Sequence, residues 1–109
     1  MHPLSIGKNY CLRLPDGSAL GHVRIERFED AWAEGPFTPS PAFERYRELF
    51  ERETTLRRDQ VIPLWEEAAD AIDALKIQVV SESDGVIPSK LTVFVEGTEA
   101  MIGAQVLVP

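Results

Sequence analysis

The sequence predicts an α+β fold: an antiparallel sheet of about five strands, ordered β-β-α-(α)-β-β-β, with a long kinked helix or helix pair on one face. Three observations predict it. Apolar and polar residues alternate through the first third of the chain, the two-residue period of a half-buried strand. Apolar residues recur at helical spacing from about residue 41 to residue 75. Alternation then returns, punctuated by short turn sequences. The 109 residues suit a single domain over 1–109.

Residues 8–14 place Tyr10, Leu12 and Leu14 on one strand face, with Cys11 and Arg13 on the other. Pro15-Asp16-Gly17-Ser18 has turn chemistry, since Asp bonds its own backbone and Gly tolerates positive φ. Residues 19–33 read as a longer strand, with Val23 and Ile25 facing one way and His22, Arg24 and Glu26 the other. After Arg27 the apolar parity flips to Phe28 and Trp32. That change of phase predicts a β-bulge near Glu26 or Arg27. Residues 34–41 hold three prolines and read as a break in strand structure, because each proline removes a backbone donor.

The same segment starts a helical region running from about Pro41 to Leu75, with Ser40 as cap and Pro41 at the first helical position. Its first apolar stripe is Ala42, Phe43, Tyr46, Leu49 and Phe50. Its second is Val61, Leu64, Trp65, Ala68, Ile72 and Leu75. One straight helix of that length would span ~50 Å, more than the ~35 Å width of a domain this size. Pro63 therefore predicts a kink or break between Thr54 and Pro63, with Thr55 or Asp59 as a new cap. Ile77, Val79 and Val80 open the last third. Asp84-Gly85 and Gly97-Thr98 divide it, and Leu91, Val93 and Val95 alternate, as do Ile102, Ala104, Val106 and Val108. Three strands with short turns predict an antiparallel meander whose last member, apolar on both sides in part, has an outer face suited to another subunit.

Composition narrows the classes. The apolar fraction of 44% is that of an ordinary globular chain. A net charge of −7 disfavours nucleic acid and anionic membranes as partners. One cysteine, no basic leader before an apolar run, and no stretch near 18 apolar residues make a soluble, cytoplasmic protein the expectation.

Candidate site residues come from types and faces rather than from motifs. His22, Arg24 and Glu26 share a polar strand face where a histidine beside a carboxylate suits proton transfer. With Tyr46 or Trp65 lining a cavity, they make the candidate ligand pocket. Trp32, Phe37, Phe43, Tyr46, Phe50 and Trp65 form an aromatic set flanking the loop and helix, which reads first as a core joint pinning the loop onto the sheet and, as the alternative, as the lining of an apolar pocket. Cys11 reads as a small hydrophobe on a sheet face rather than as a nucleophile.

Arg45, Arg47, Arg52, Arg57 and Arg58 interleave with Glu44, Glu48, Glu51 and Glu53, and Glu48–Arg52 and Glu53–Arg57 have favourable i, i+4 order. Glu66, Asp70 and Asp73 lie on one helix face downstream, without a histidine or a loop of carbonyls to make a metal site. Arg57, Arg58, Glu66, Asp70 and Asp73 are the candidate interaction surface. No phosphate loop, HExxH, paired CxxC or GxSxG is present, so no metal or cofactor is called for.

These readings favour a non-catalytic interaction or binding domain, self-associating or docking an unknown protein or small molecule. The alternatives are a small enzyme or ligand-binding protein with a pocket between sheet and helices, and an acidic inhibitor or immunity-type protein blocking a basic partner.

Overall fold

A computed structural model describes residues 2–88 and 90–104. The chain is α+β, as its periodicities predict, but the sheet is larger: eight strands among the described residues rather than about five. They are β1 (Asn9–Arg13), β2 (Ala19–Arg24), β3 (Arg27–Glu29), β4 (Trp32–Pro39), β5 (Gln78–Ser81), β6 (Gly85–Val86), β7 (Leu91–Glu96) and β8 (Glu99–Ala104). A single 3-10 turn, Pro41–Arg45, leads to α1 (Arg47–Arg58) and α2 (Ile62–Asp73). All pairings are antiparallel, and the spatial order is β6-β5-β1-β2-β4-β8-β7, with β3 on β4.

The first turn forms as its chemistry dictates. The Asp16 carboxylate accepts from the Ser18 amide at 2.8 Å and its hydroxyl at 2.6 Å, and Gly17 takes φ +93°. Those hydrogen bonds hold the Asp16 carboxyl below its ordinary value. Tyr10, Leu12, Val23 and Ile25 are buried while His22, Arg24 and Glu26 are exposed.

The parity flip after Arg27 marks a real irregularity. From Val23 to Arg27 the chain advances four residues, while the partner strand advances three, from Phe37 to Glu34. One extra residue therefore lies between β2 and β3. Asp30, at φ +54°, then turns the chain into β4.

β4 overturns the reading of residues 34–41 as a break. Phe37 donates from its amide to Thr98 carbonyl, on the β8 side. Neighbouring amides alternate sides, so the donor that Pro36 lacks would point at the bulge, where regular pairing is already interrupted. Pro39 is the last residue of the strand. The prolines sit where the ladder does not need their N–H.

The helical region is a pair, and the break falls between Thr54 and Pro63 as expected. Its capping differs from expectation. Thr55 lies within α1, Asp59 ends α1, and α2 follows Val61 without a side-chain cap. Gln60 adopts φ +58°, its amide donates to Arg57 carbonyl at 3.2 Å, and Val61 donates to Leu56 carbonyl at 3.0 Å. Paired bonds of this kind around a left-handed residue satisfy the last carbonyls of a helix. Ser40 precedes the 3-10 turn without a side-chain cap bond.

The meander is also corrected. β5–β6 and β7–β8 are separate hairpins on opposite ends of the sheet, with β1, β2, β4 between them. A segment containing Pro88, which cannot donate to a ladder, crosses from one to the other. Strand β8 ends at Ala104, and the alternation at Val106 and Val108 lies outside the described residues.

One sheet face and the helices form the core, with Tyr10, Leu12, Val23, Phe37, Val93, Val95 and Ile102 meeting Phe43, Phe50 and Ile72. Phe37, Phe43 and Phe50 form a chain of rings with centroids 5.1 and 5.5 Å apart. Val61 and Leu64, placed by periodicity on the buried stripe of α2, are exposed instead; Ala68 and Ile72 alone are buried.

On the other sheet face Arg27 bridges strands, reaching Glu34 at 2.9 Å and both carboxylate oxygens of Glu99. The hydrogen bond from Arg27 holds the Glu99 carboxyl below its ordinary value. A depressed folded value means the pair stabilises above the usual glutamate range and loses that contribution as pH falls through the folded value. Exposure and salt screening keep the effect modest. Arg27→Gln is expected to leave a shallower acid limb in urea-unfolding free energy, compared at neutral pH and at about pH 3. An acid limb as steep as the parent's would refute the assignment.

Candidate functional site

A groove of about 1290 Å³ runs between α2 and the two ends of the sheet. Parity explains its floor. In the register across β4, β8 and β7, Trp32 faces Gly103, which faces Thr92, and Glu34 faces Met101, which faces Phe94. Directly opposed residues share a sheet face, so Trp32, Met101, Phe94 and Thr92 share the parity opposite to Ala33, Ile102 and Val93, with Phe94 buried and Trp32 and Met101 half-buried against the core. Gly103 makes room for the indole: a Cβ there would lie 2.8 Å from the Trp32 ring. Trp32 then stacks on Phe94 with centroids 5.6 Å apart, and Trp65 from α2 meets Phe94 edge-on at 6.4 Å.

An ionic network centred on one buried carboxylate fixes these rings. Glu53, wholly buried on α1, accepts from Arg57 Nε at 2.7 Å, Arg57 Nη2 at 3.2 Å and Trp65 Nε1 at 2.8 Å. The Arg57 guanidinium lies 5.4 Å from the centroid of Phe94 and 3.3 Å from Glu96. Hydrogen bonding to Glu53, ahead of its burial, pushes Arg57 above its ordinary value, so it stays charged. Thr54 donates to Val95 carbonyl at 3.2 Å, tying α1 to β7. The sheet and both helices are thus joined at one wall of the groove.

The remaining lining mixes apolar residues, Ile72, Ile77, Val79, Ile87 and Leu91, with polar and charged ones, Glu34 and Gln78 among them. Asp70 and Asp73 stand on the α2 side, with Lys76 and Lys90 also on the lining. Such a groove excludes water from an apolar occupant while presenting charges of both signs at its mouth.

The structure divides the residues singled out by sequence. Trp65, Arg57, Asp70 and Asp73 come together in the groove, joined by Trp32. Arg58 and Glu66 are exposed outside it. Tyr46 lines a separate recess of about 260 Å³ with Arg45 and Asp16. His22, Arg24 and Glu26 are exposed on β2 and just after it, and none lines either hollow. Of the two anticipated helical ion pairs, Glu53–Arg57 forms and Glu48–Arg52 does not; Arg47 pairs with Glu44 instead. Cys11 is a half-buried free thiol, and burial raises its pKa. Among the described residues no group of three His, Cys, Asp or Glu side chains is placed to hold a metal ion, and no helix is long and apolar enough to cross a membrane.

Two features of the network escaped sequence reasoning, the burial of Glu53 and the place of Phe94. Glu53 lies three residues after Phe50, on the apolar stripe of α1, and a charge interrupting such a stripe is the signal for a buried partner. Phe94 lies within Val93-Phe94-Val95, three apolar residues in a row, which marks a strand covered on both faces. Comparison with known proteins adds no relative to these features: no family model matches the chain, and no curated protein or solved structure matches it either.

Proposed function

We propose that this protein is a binding domain that holds an apolar, partly aromatic small molecule in the groove between α2 and the sheet. The observation that carries this reading is the pair of half-buried tryptophans, Trp32 and Trp65, packed about Phe94 and set by the Glu53–Arg57 network. Preformed aromatic walls bind planar apolar ligands at low ordering cost. A catalytic reading built on His22, Arg24 and Glu26 draws less support, since these residues are exposed and line neither of the two hollows described above. The charge of −7 argues against nucleic acid as the ligand, and a lone free thiol fits a reducing compartment such as the cytoplasm.

The probe is 1-anilinonaphthalene-8-sulfonate, titrated while its own emission is followed. Saturable binding at one site per chain is expected, weakened by about tenfold or more in Thr92→Phe, which fills the groove beside Trp32. Absence of saturation, or an affinity indifferent to Thr92→Phe with the fold intact by circular dichroism, would sink the proposal.

A further inference from the structure

The corner between α1 and α2 exposes four consecutive apolar residues, Val61, Ile62, Pro63 and Leu64. The three large aliphatic side chains keep 38, 50 and 44% of their surface in solvent. Runs of this kind are avoided on surfaces that face only water. The local fold does not require it. Helix α1 is already closed by the paired bonds around Gln60, and α2 docks through Ala68 and Ile72, further along. The first turn of α2 therefore projects an apolar tip that leaves much of its surface in solvent.

Charges around the tip say what covers it. Arg58 is exposed four residues before Ile62, and Glu66 is exposed four residues after it, followed by Glu67. None of the three forms an ion pair among the described residues. A uniformly basic partner would meet Arg58, and an anionic lipid surface would meet the carboxylates of α2. A surface carrying both signs on either side of an apolar centre is complementary to itself under two-fold rotation.

We infer that this corner is an isologous interface for a second copy of the chain. The apolar tips pack together, and Arg58 of each protomer meets Glu66 and Glu67 of the partner subunit. The surface is distinct from the groove and holds whether or not the groove binds a ligand. Its size is below that of obligate dimers, so association is reversible and concentration-dependent.

Sedimentation velocity on the full chain, from low micromolar to submillimolar concentration, tests this. The mass is expected to rise towards a dimer. Ile62→Asp should weaken association by about tenfold or more while leaving circular dichroism and thermal midpoint unchanged, because the side chain is exposed. Arg58→Glu should weaken it too, and combining Arg58→Glu with Glu66→Lys and Glu67→Lys should restore it. A parent chain that stays monomeric at the highest concentration overturns the inference. So does a dimer that Ile62→Asp leaves unchanged, or a charge-reversal series without loss and rescue.

Discussion

Glu53→Ala is expected to lower the unfolding free energy by about 3 kcal/mol, the lower end of the range for breaking a buried ion pair. The substitution removes the acceptor of three donors at once: Arg57 Nε, Arg57 Nη2 and the Trp65 indole N–H. The lower end applies because the Arg57 side chain keeps 32% exposure and retains Glu96 at 3.3 Å, so its charge is not abandoned in a dry interior. Urea unfolding followed by tryptophan fluorescence would measure the loss. The native emission should also shift, since Trp65 is released from its acceptor. The double variant Glu53→Met with Arg57→Met should recover much of the stability, because apolar side chains of similar volume remove the desolvation cost along with the pair. It should not recover the fixed aromatic wall. Probe binding in the groove and global stability should therefore separate in the double variant. A Glu53→Ala loss below about 1 kcal/mol, the scale of a surface pair, would mean the network is not buried in solution.

That network shows where sequence reasoning reaches and where it stops. The pairing of Glu53 with Arg57 is legible, because i, i+4 spacing on a helix fixes the neighbourhood. Its burial is not, because that depends on β7 arriving with Phe94 and Val95 from forty residues away. The groove is illegible for the same reason. Trp32 and Trp65 are conspicuous as aromatics, but only the cross-strand register joins Trp32 to Phe94. The polar face of β2 is legible as a face, yet nothing in a strand's own period tells whether a hollow lies above it. Similarly, Asp84-Gly85 and Gly97-Thr98 mark turns, and both hairpins form. Their placement at opposite ends of the sheet depends on strand order, which local alternation does not encode. Val61 and Leu64 obey helical periodicity and still face solvent. A stripe is buried only along the length where something packs against it.

The bulge between β2 and β3 is the opposite case, a long-range feature written locally, and it yields the second large effect. Gly35→Ala is expected to destabilise by more than the ~1–3 kcal/mol of ordinary overpacking. A Cβ at Gly35 would overlap the carbonyl oxygen of Arg24 outright and lie 2.8 Å from its carbonyl carbon and 3.2 Å from the amide nitrogen of Glu26. These are backbone atoms of the extra residue's own loop, so no rotamer change relieves them. The only escape is to displace the bulge, and the bulge sets the phase of β3 and the turn into β4. A slip there would move Trp32 and Glu34 out of register with Gly103 and Met101, since one residue of shift exchanges the two faces of a strand. Gly35→Ala should therefore lower the thermal midpoint steeply and abolish probe binding in whatever folded fraction remains. Gly85→Ala controls for glycine loss in general, because its Cβ would meet open space, although φ +81° still carries strain. Comparable losses at the two positions would show that the close approach of Arg24 and Gly35 is not what the glycine is for; a much larger loss at Gly35 would tie the sheet's register, and the aromatic wall built on it, to one missing methyl group.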